Sequence, residues 1–167
     1  MLPLDPPGAS GFFNDTHSAA ISTSLLENYA YLAGASLDRL FSKKGKDSLT
    51  RMMGQNGDWD GKITPELGEE IVRSFLPRVF RRNVPEERIK TVLAQLKGKE
   101  GEALVSALKF ELKAFLISPE FLYRGFLAQP DGKSGRQSVD PFELAERLSY
   151  FIWEDMPDEE LLEVARK

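Results

Sequence analysis

The stretch NGDWDGKIT, residues 56–64, holds the residue types that bind a hard cation. A calcium-binding helix–loop–helix site takes oxygen ligands from loop positions 1, 3, 5, 7, 9 and 12, with glycine at position 6. With Asn56 at position 1, Asp58 falls at 3, Asp60 at 5, Gly61 at 6, the Lys62 carbonyl at 7, Ile63 at the apolar position 8 and Thr64 at 9. Position 12 is Leu67 where a bidentate glutamate is expected, and Glu66 and Glu70 are out of register. Calcium requires six to eight oxygens, so water or a neighbouring carboxylate would have to complete such a site, and binding would be weak. The competing reading is an Asx-rich turn that leads into a helix capped by Thr64.

A second set is basic: Arg73, Arg78, Arg81, Arg82 and Arg88. In one continuous helix Arg78, Arg81 and Arg82 share a face by three- and four-residue spacing. There they would bind a phosphate or a carboxylate-bearing partner bidentately. A structural reading outweighs this one: an arginine turns inward to cap a helix C-terminus or to pair with Glu143 or Glu146, while the others stay solvated.

The remaining chemistry-bearing groups point to structure. Phe121, Tyr123, Phe126, Tyr150, Phe151 and Trp153 recur at helical spacing and read as core, where the two tyrosines would each need a hydrogen-bond partner and Arg124 and Arg147 are candidate polar anchors between these helices. Asp155, Asp158, Glu159 and Glu160 gather where a helix begins, which the helix dipole favours without any catalytic role. His17 is the only histidine, so a multi-histidine metal site is excluded and a Ser-His-Asp triad would depend on it alone. The absence of cysteine excludes disulfides, thiol nucleophiles, thiolate metal sites and covalent haem attachment. A net charge of −4 and a pI near 5.2 argue against a nucleic-acid partner. No apolar run approaches the ~20 residues of a membrane span, and the N-terminus lacks the basic start and apolar stretch of a signal peptide.

These residues need elements to position them, and the pattern predicts helices throughout. Residues 1–21, rich in proline and glycine, read as irregular. Ser24 and Glu27 form a capping box that opens a first helix. A short helix covers Asp47–Met53. Thr64-Pro65 starts another, in which Pro77 should introduce a kink or a break. Further helices run from Pro85 to Leu96, from Glu102 to Ile117, and from Ser118-Pro119. After a Gly-, Ser- and Pro-rich linker, Asp140, Pro141 and Glu143 cap the next helix, where Leu144, Leu148, Phe151 and Ile152 fall on one face. The expected fold is all-α, an irregular bundle of about six or seven helices behind an irregular N-terminal segment. The expected organisation is an N-terminal extension and first helix (1–42), a central helical domain (43–127), a linker (128–140) and the start of a further helical domain (141–167).

Three phrases carry a family resemblance: FLPRVFRRNVPEERI (75–89), ALKFELKAFLISPEFLYR (107–124) and DPFELAERLSYFIWEDMPDEELLEVA (140–165). The chain resembles the helical domains of unknown function in large exported planctomycete-type proteins that also carry c-type cytochrome domains. In that resemblance the usual F-R-R-P phrase reads Phe80-Arg81-Arg82-Asn83, with the proline displaced to Pro85. The resemblance implies a periplasmic or exported setting, with the haem on other domains. The combined reading is a non-catalytic helical structural or interaction module whose partners are neighbouring domains or another protein chain. It uses no cofactor, unless the loop at residues 56–67 binds Ca²⁺.

Overall fold

The computed structural model describes residues 22–53, 62–123 and 139–167. Among these residues the fold is all-α, as expected, with eight α-helices and one short 3-10 turn. They are α1 (Thr23–Leu40), the 3-10 turn (Lys43–Gly45), α2 (Lys46–Met52), α3 (Pro65–Phe80), α4 (Glu86–Leu96), α5 (Gly101–Leu116), α6 (Pro119–Leu122), α7 (Pro141–Trp153) and α8 (Glu159–Ala165). Four of the starts, at α1, α3, α7 and α8, use a side-chain oxygen to satisfy otherwise unpaired backbone amides, with a proline at the head of two of them. Thr64 accepts from the Leu67 amide at 3.2 Å, Asp140 from Phe142 and Glu143 at 2.9 and 3.2 Å, and Asp158 from Leu161 at 2.9 Å.

Two caps differ from the sequence expectation. The N-cap of α1 is Ser22, which accepts from Leu25, rather than Ser24. At α6 the Ser118 hydroxyl donates back to the Phe115 carbonyl and does not cap the helix that follows. Pro77 sits inside α3, and the helix continues through it to Phe80; the proline withholds one backbone donor without ending the helix.

The core lies between α3 and α5. α5 packs on α1, α3, α4 and α6, and α3 also packs on α2, α4 and α6. Ile71, Val72, Leu76, Leu108 and Leu112 are fully enclosed at this centre, with Leu37 of α1, Leu49 of α2 and Val92 of α4 closing it from the sides. Burying each such side chain is worth roughly 1.5–3 kcal/mol of transfer free energy. α7 and α8 stand apart from this arrangement. They pack on each other, each burying one apolar residue, Ala145 and Leu162, and neither joins the apolar cluster of the body. Among the described residues no helix is long and apolar enough to cross a membrane.

Candidate functional site

The turn that ends α3 connects the helical body to α7 and α8. Arg81 follows the last residue of α3 in a left-handed conformation, φ 54°. Its amide donates to the Arg78 carbonyl at 3.3 Å and that of Arg82 to Pro77 at 3.2 Å, the paired pattern that closes helix C-termini, usually with glycine at this position. The left-handed residue breaks the helical phase. Arg78 therefore stays exposed on the helix while Arg81 is directed inward and is 4% exposed. The expected common face of Arg78, Arg81 and Arg82 does not form, because it assumed a helix that continued past Phe80.

Arg81 has internal partners on two elements. Its guanidinium donates to the carbonyls of Glu120, Phe121 and Tyr123 at 2.9, 3.2 and 3.5 Å, which satisfies acceptors at the end of α6. Its Nε lies 3.0 Å from Glu146 Oε1 on α7, and Glu146 is itself buried. The approach is off the N–H axis, so this is an ion contact rather than a hydrogen bond. The next two residues also reach across. Arg82 is 3.6 Å from Asp140, the N-cap of α7, and Asn83 accepts from Arg166 at the end of α8 at 3.1 Å. Three consecutive residues thus hold the C-terminal helix pair by polar contacts.

α7 is oriented opposite to an ordinary surface helix. Glu143, Glu146 and Ser149 are on its buried face; Glu143 accepts from Arg147, and the Ser149 hydroxyl donates to the Asp155 carbonyl. Leu144, Leu148, Phe151 and Ile152, spaced i, i+4, i+7 and i+8, form its outer face, 50%, 42%, 87% and 58% exposed. The expectation that Phe151 and Trp153 are core is therefore corrected. Both are exposed, because Glu146 and its arginine determine which side of α7 faces the body. Arg147, expected as a polar anchor between these helices, is exposed and pairs with Glu143 on its own helix. Phe126 and Arg124 lie outside the described residues.

A second cluster, which sequence reasoning missed, locks α4 to α6. Arg88 donates to both carboxylate oxygens of Glu120 at 3.1 and 3.0 Å and lies over the Phe80 ring at 4.1 Å and the Phe115 ring at 5.5 Å. The signal was present in an arginine three residues after Pro85, but its carboxylate partner lies 32 residues away along the chain. At the surface, Arg73 donates to Glu86 and Glu69 and joins α3 to α4. The guanidinium pKa rises further through Glu86 and then Glu69, and hydrogen bonding from Arg73 lowers the Glu86 carboxyl.

Of the candidate calcium ligands, Asn56, Asp58 and Asp60 lie outside the described residues. Lys62 is exposed, and the Thr64 hydroxyl caps α3. Ile63, the apolar position of that loop, is buried in the body's core, and Leu67 is half-buried against it. Among the described residues no group of three or more His, Cys, Asp or Glu side chains converges on a point where a metal could sit.

Comparison with known proteins divides the chain at the same place as the polar contacts. Residues 68–125 match the family model described as PSD5, protein of unknown function (DUF1595). Residues 139–167 match the model described as PSD4, protein of unknown function (DUF1592). No curated protein and no solved structure matches the chain.

Proposed function

We propose that the chain is a non-catalytic helical interaction module in which the α1–α6 body is the scaffold and α7 presents the docking face. The carrying observation is the outward apolar stripe Leu144, Leu148, Phe151 and Ile152 on a helix whose carboxylates are buried. These four side chains form one contiguous exposed apolar stripe, a kind of patch that is often functional. We further propose that the module is part or a relative of a larger exported protein associated with c-type cytochrome domains, with residues 141–167 opening a further helical unit. The resemblance of the three phrases supports that setting, and the two matches to families of unknown function fit a module without assigned chemistry. With no cysteine in the chain, covalent haem would belong to the neighbouring domains.

A photo-reactive phenylalanine analogue at position 151, with one at Phe110 as an exposed control, tests this reading. In co-expression with the haem-bearing domains of the same genome, the expected result is a haem-staining adduct from position 151 and none from 110. Equal adducts from both positions, or none from 151, would remove the proposal.

The burial of Ile63 beside the Thr64 cap supports a second reading, in which residues 56–67 hold Ca²⁺ weakly through Asn56, Asp58, Asp60, the Lys62 carbonyl and Thr64. Calorimetric titration and thermal melts with and without chelator decide it. No heat and no change in melting at millimolar Ca²⁺ would exclude the site.

A further inference from the structure

We infer that the partner docked on α7 is an amphipathic helix whose apolar stripe is flanked by lysine and arginine. The inference rests on the interaction-module reading and adds the chemistry of the occupant. Helical spacing of Leu144, Leu148, Phe151 and Ile152 gives a ridge about two turns long, which is the shape that another helix covers with its own i, i+3, i+4 and i+7 anchors.

Charge selects among the proteins that could supply such a helix. The stripe runs directly into Glu154 and Asp155, both exposed, at the end of α7 where the helix dipole is already negative. α8, the helix packed on α7, adds Asp158, Glu160 and Glu163 at the surface, with Glu159 paired to Arg166. Against these stand Arg147, already paired with Glu143, Arg166, already shared between Glu159 and Asn83, and the final Lys167. Among the described residues, the surroundings of the apolar face on α7 and α8 are therefore net acidic. A second copy would bring two acidic rims together, and an anionic lipid surface would meet the same repulsion. A basic-flanked helix buries the stripe and neutralises the rim at once, and its approach is favoured electrostatically.

The test uses the full chain and three probes. One is a synthetic helical peptide with leucines at i, i+3, i+4 and i+7 and lysines on both flanks. The second is the same peptide with glutamates in place of lysines, and the third is vesicles of phosphatidylcholine with phosphatidylglycerol. The expected result is saturable binding of the lysine peptide that weakens by about tenfold or more in Leu148→Ser and in Phe151→Ser, and that also weakens at high salt. Both positions are exposed, so these variants keep the helical circular dichroism and melting of the parent. If the glutamate peptide binds equally well and loses binding in Phe151→Ser, the interaction module stands and the basic partner is wrong. A concentration-dependent dimer that Phe151→Ser abolishes also overturns the basic partner, with a second copy as occupant. Vesicle binding that Phe151→Ser abolishes overturns it in favour of a lipid surface. If no probe binds, the chain stays monomeric and neither serine variant changes any readout, both readings fall.

Discussion

Arg81 Nε lies 3.0 Å from Glu146 Oε1, and both side chains are almost fully withdrawn from solvent. One residue belongs to the segment that matches the PSD5 model and the other to the segment that matches PSD4. The contact therefore joins two units that separate family models describe, and it does so with charge where the body itself is held by apolar packing. A buried ion pair adds little net stability, but breaking one side leaves an uncompensated charge and typically costs about 3–5 kcal/mol. The pair thus specifies how α7 sits more than it strengthens the fold.

Arg81→Met should detach α7 and α8 while leaving the body folded. Glu146 regains water once α7 leaves, while the Glu120, Phe121 and Tyr123 carbonyls lose their donor, so the loss covers the docking of the pair and the end of α6, and unfolding stays local to these elements. Hydrogen exchange is the measurement: amides of 141–165 lose protection while those of α3 and α5 keep theirs. Adding Glu146→Leu to Arg81→Met should restore part of the protection, because no charge is then left buried. Equal loss across α3, α5 and α7 in the single variant would show the pair to be part of one cooperative core instead.

Glu154→Gly should stabilise α7. Glu154 ends that helix at φ 58°, a left-handed conformation that costs a side-chain-bearing residue about 1 kcal/mol and glycine almost nothing. The change also removes a negative charge from the negative end of the helix dipole. Glycine's extra freedom in the unfolded chain offsets part of this, leaving a gain of about 0.5–1 kcal/mol. Slower exchange of the α7 amides would bear this out, and unchanged or faster exchange would contradict it.

Much of the fold was legible because its signals are local. Thr64, Asp140 and Asp158 each precede an apolar period and each accepts backbone amides, so these starts could be read from neighbours in sequence. Ser22 and Ser24 offer the same hydroxyl, and local pattern alone could not choose between them. The face of α7 was illegible for a similar reason. Ala145 lies on one side and Leu144, Leu148 and Ile152 on the other, so hydrophobic period identifies a helix without saying which side turns in. Arg81 makes that choice from 65 residues away, after a backbone reversal at φ 54° that no glycine announced. An inward arginine pairing with Glu143 or Glu146 was foreseeable as chemistry; its consequence for Phe151 was not.

Gly45→Ala should destabilise the body. Gly45 is buried where α1 gives way to α2, and an added Cβ would fall on the backbone carbonyls of Arg39 and Leu40. Its φ of −92° is open to any residue, so the cost is steric and not conformational. Backbone cannot swing aside as a side chain would, and overpacking of this kind costs about 1–3 kcal/mol. In a chain of this size that corresponds to a fall in Tm of about 2–4 °C for each kcal/mol. Gly98→Ala is the contrast: its φ is +74° with open space around the new Cβ, so strain acts there without a clash. An alanine at 45 that melts with the parent would mean that the turn opens freely.

Acid should weaken the link between α3 and α4. Hydrogen bonding from Arg73 holds the Glu86 carboxyl below its ordinary value of 4.5. The folded state therefore takes up this proton at lower pH than the unfolded state does, so the contribution is complete above pH 4.5 and is lost as pH falls through the folded value. Glu66 shifts in the same direction, through its own backbone amide and then the Thr64 hydroxyl, and adds to the slope. Both groups are exposed, so the effect is small and salt-screened. Glu86→Gln removes the titrating group and keeps the shape. The parent should melt higher than this variant at neutral pH, and the difference should close as the pH falls below 4.5 and through the lowered folded-state value. Because Arg73 keeps Glu69 in both proteins, a gap that persists undiminished in acid would have to come from packing, and the ion pair would then have no part in it.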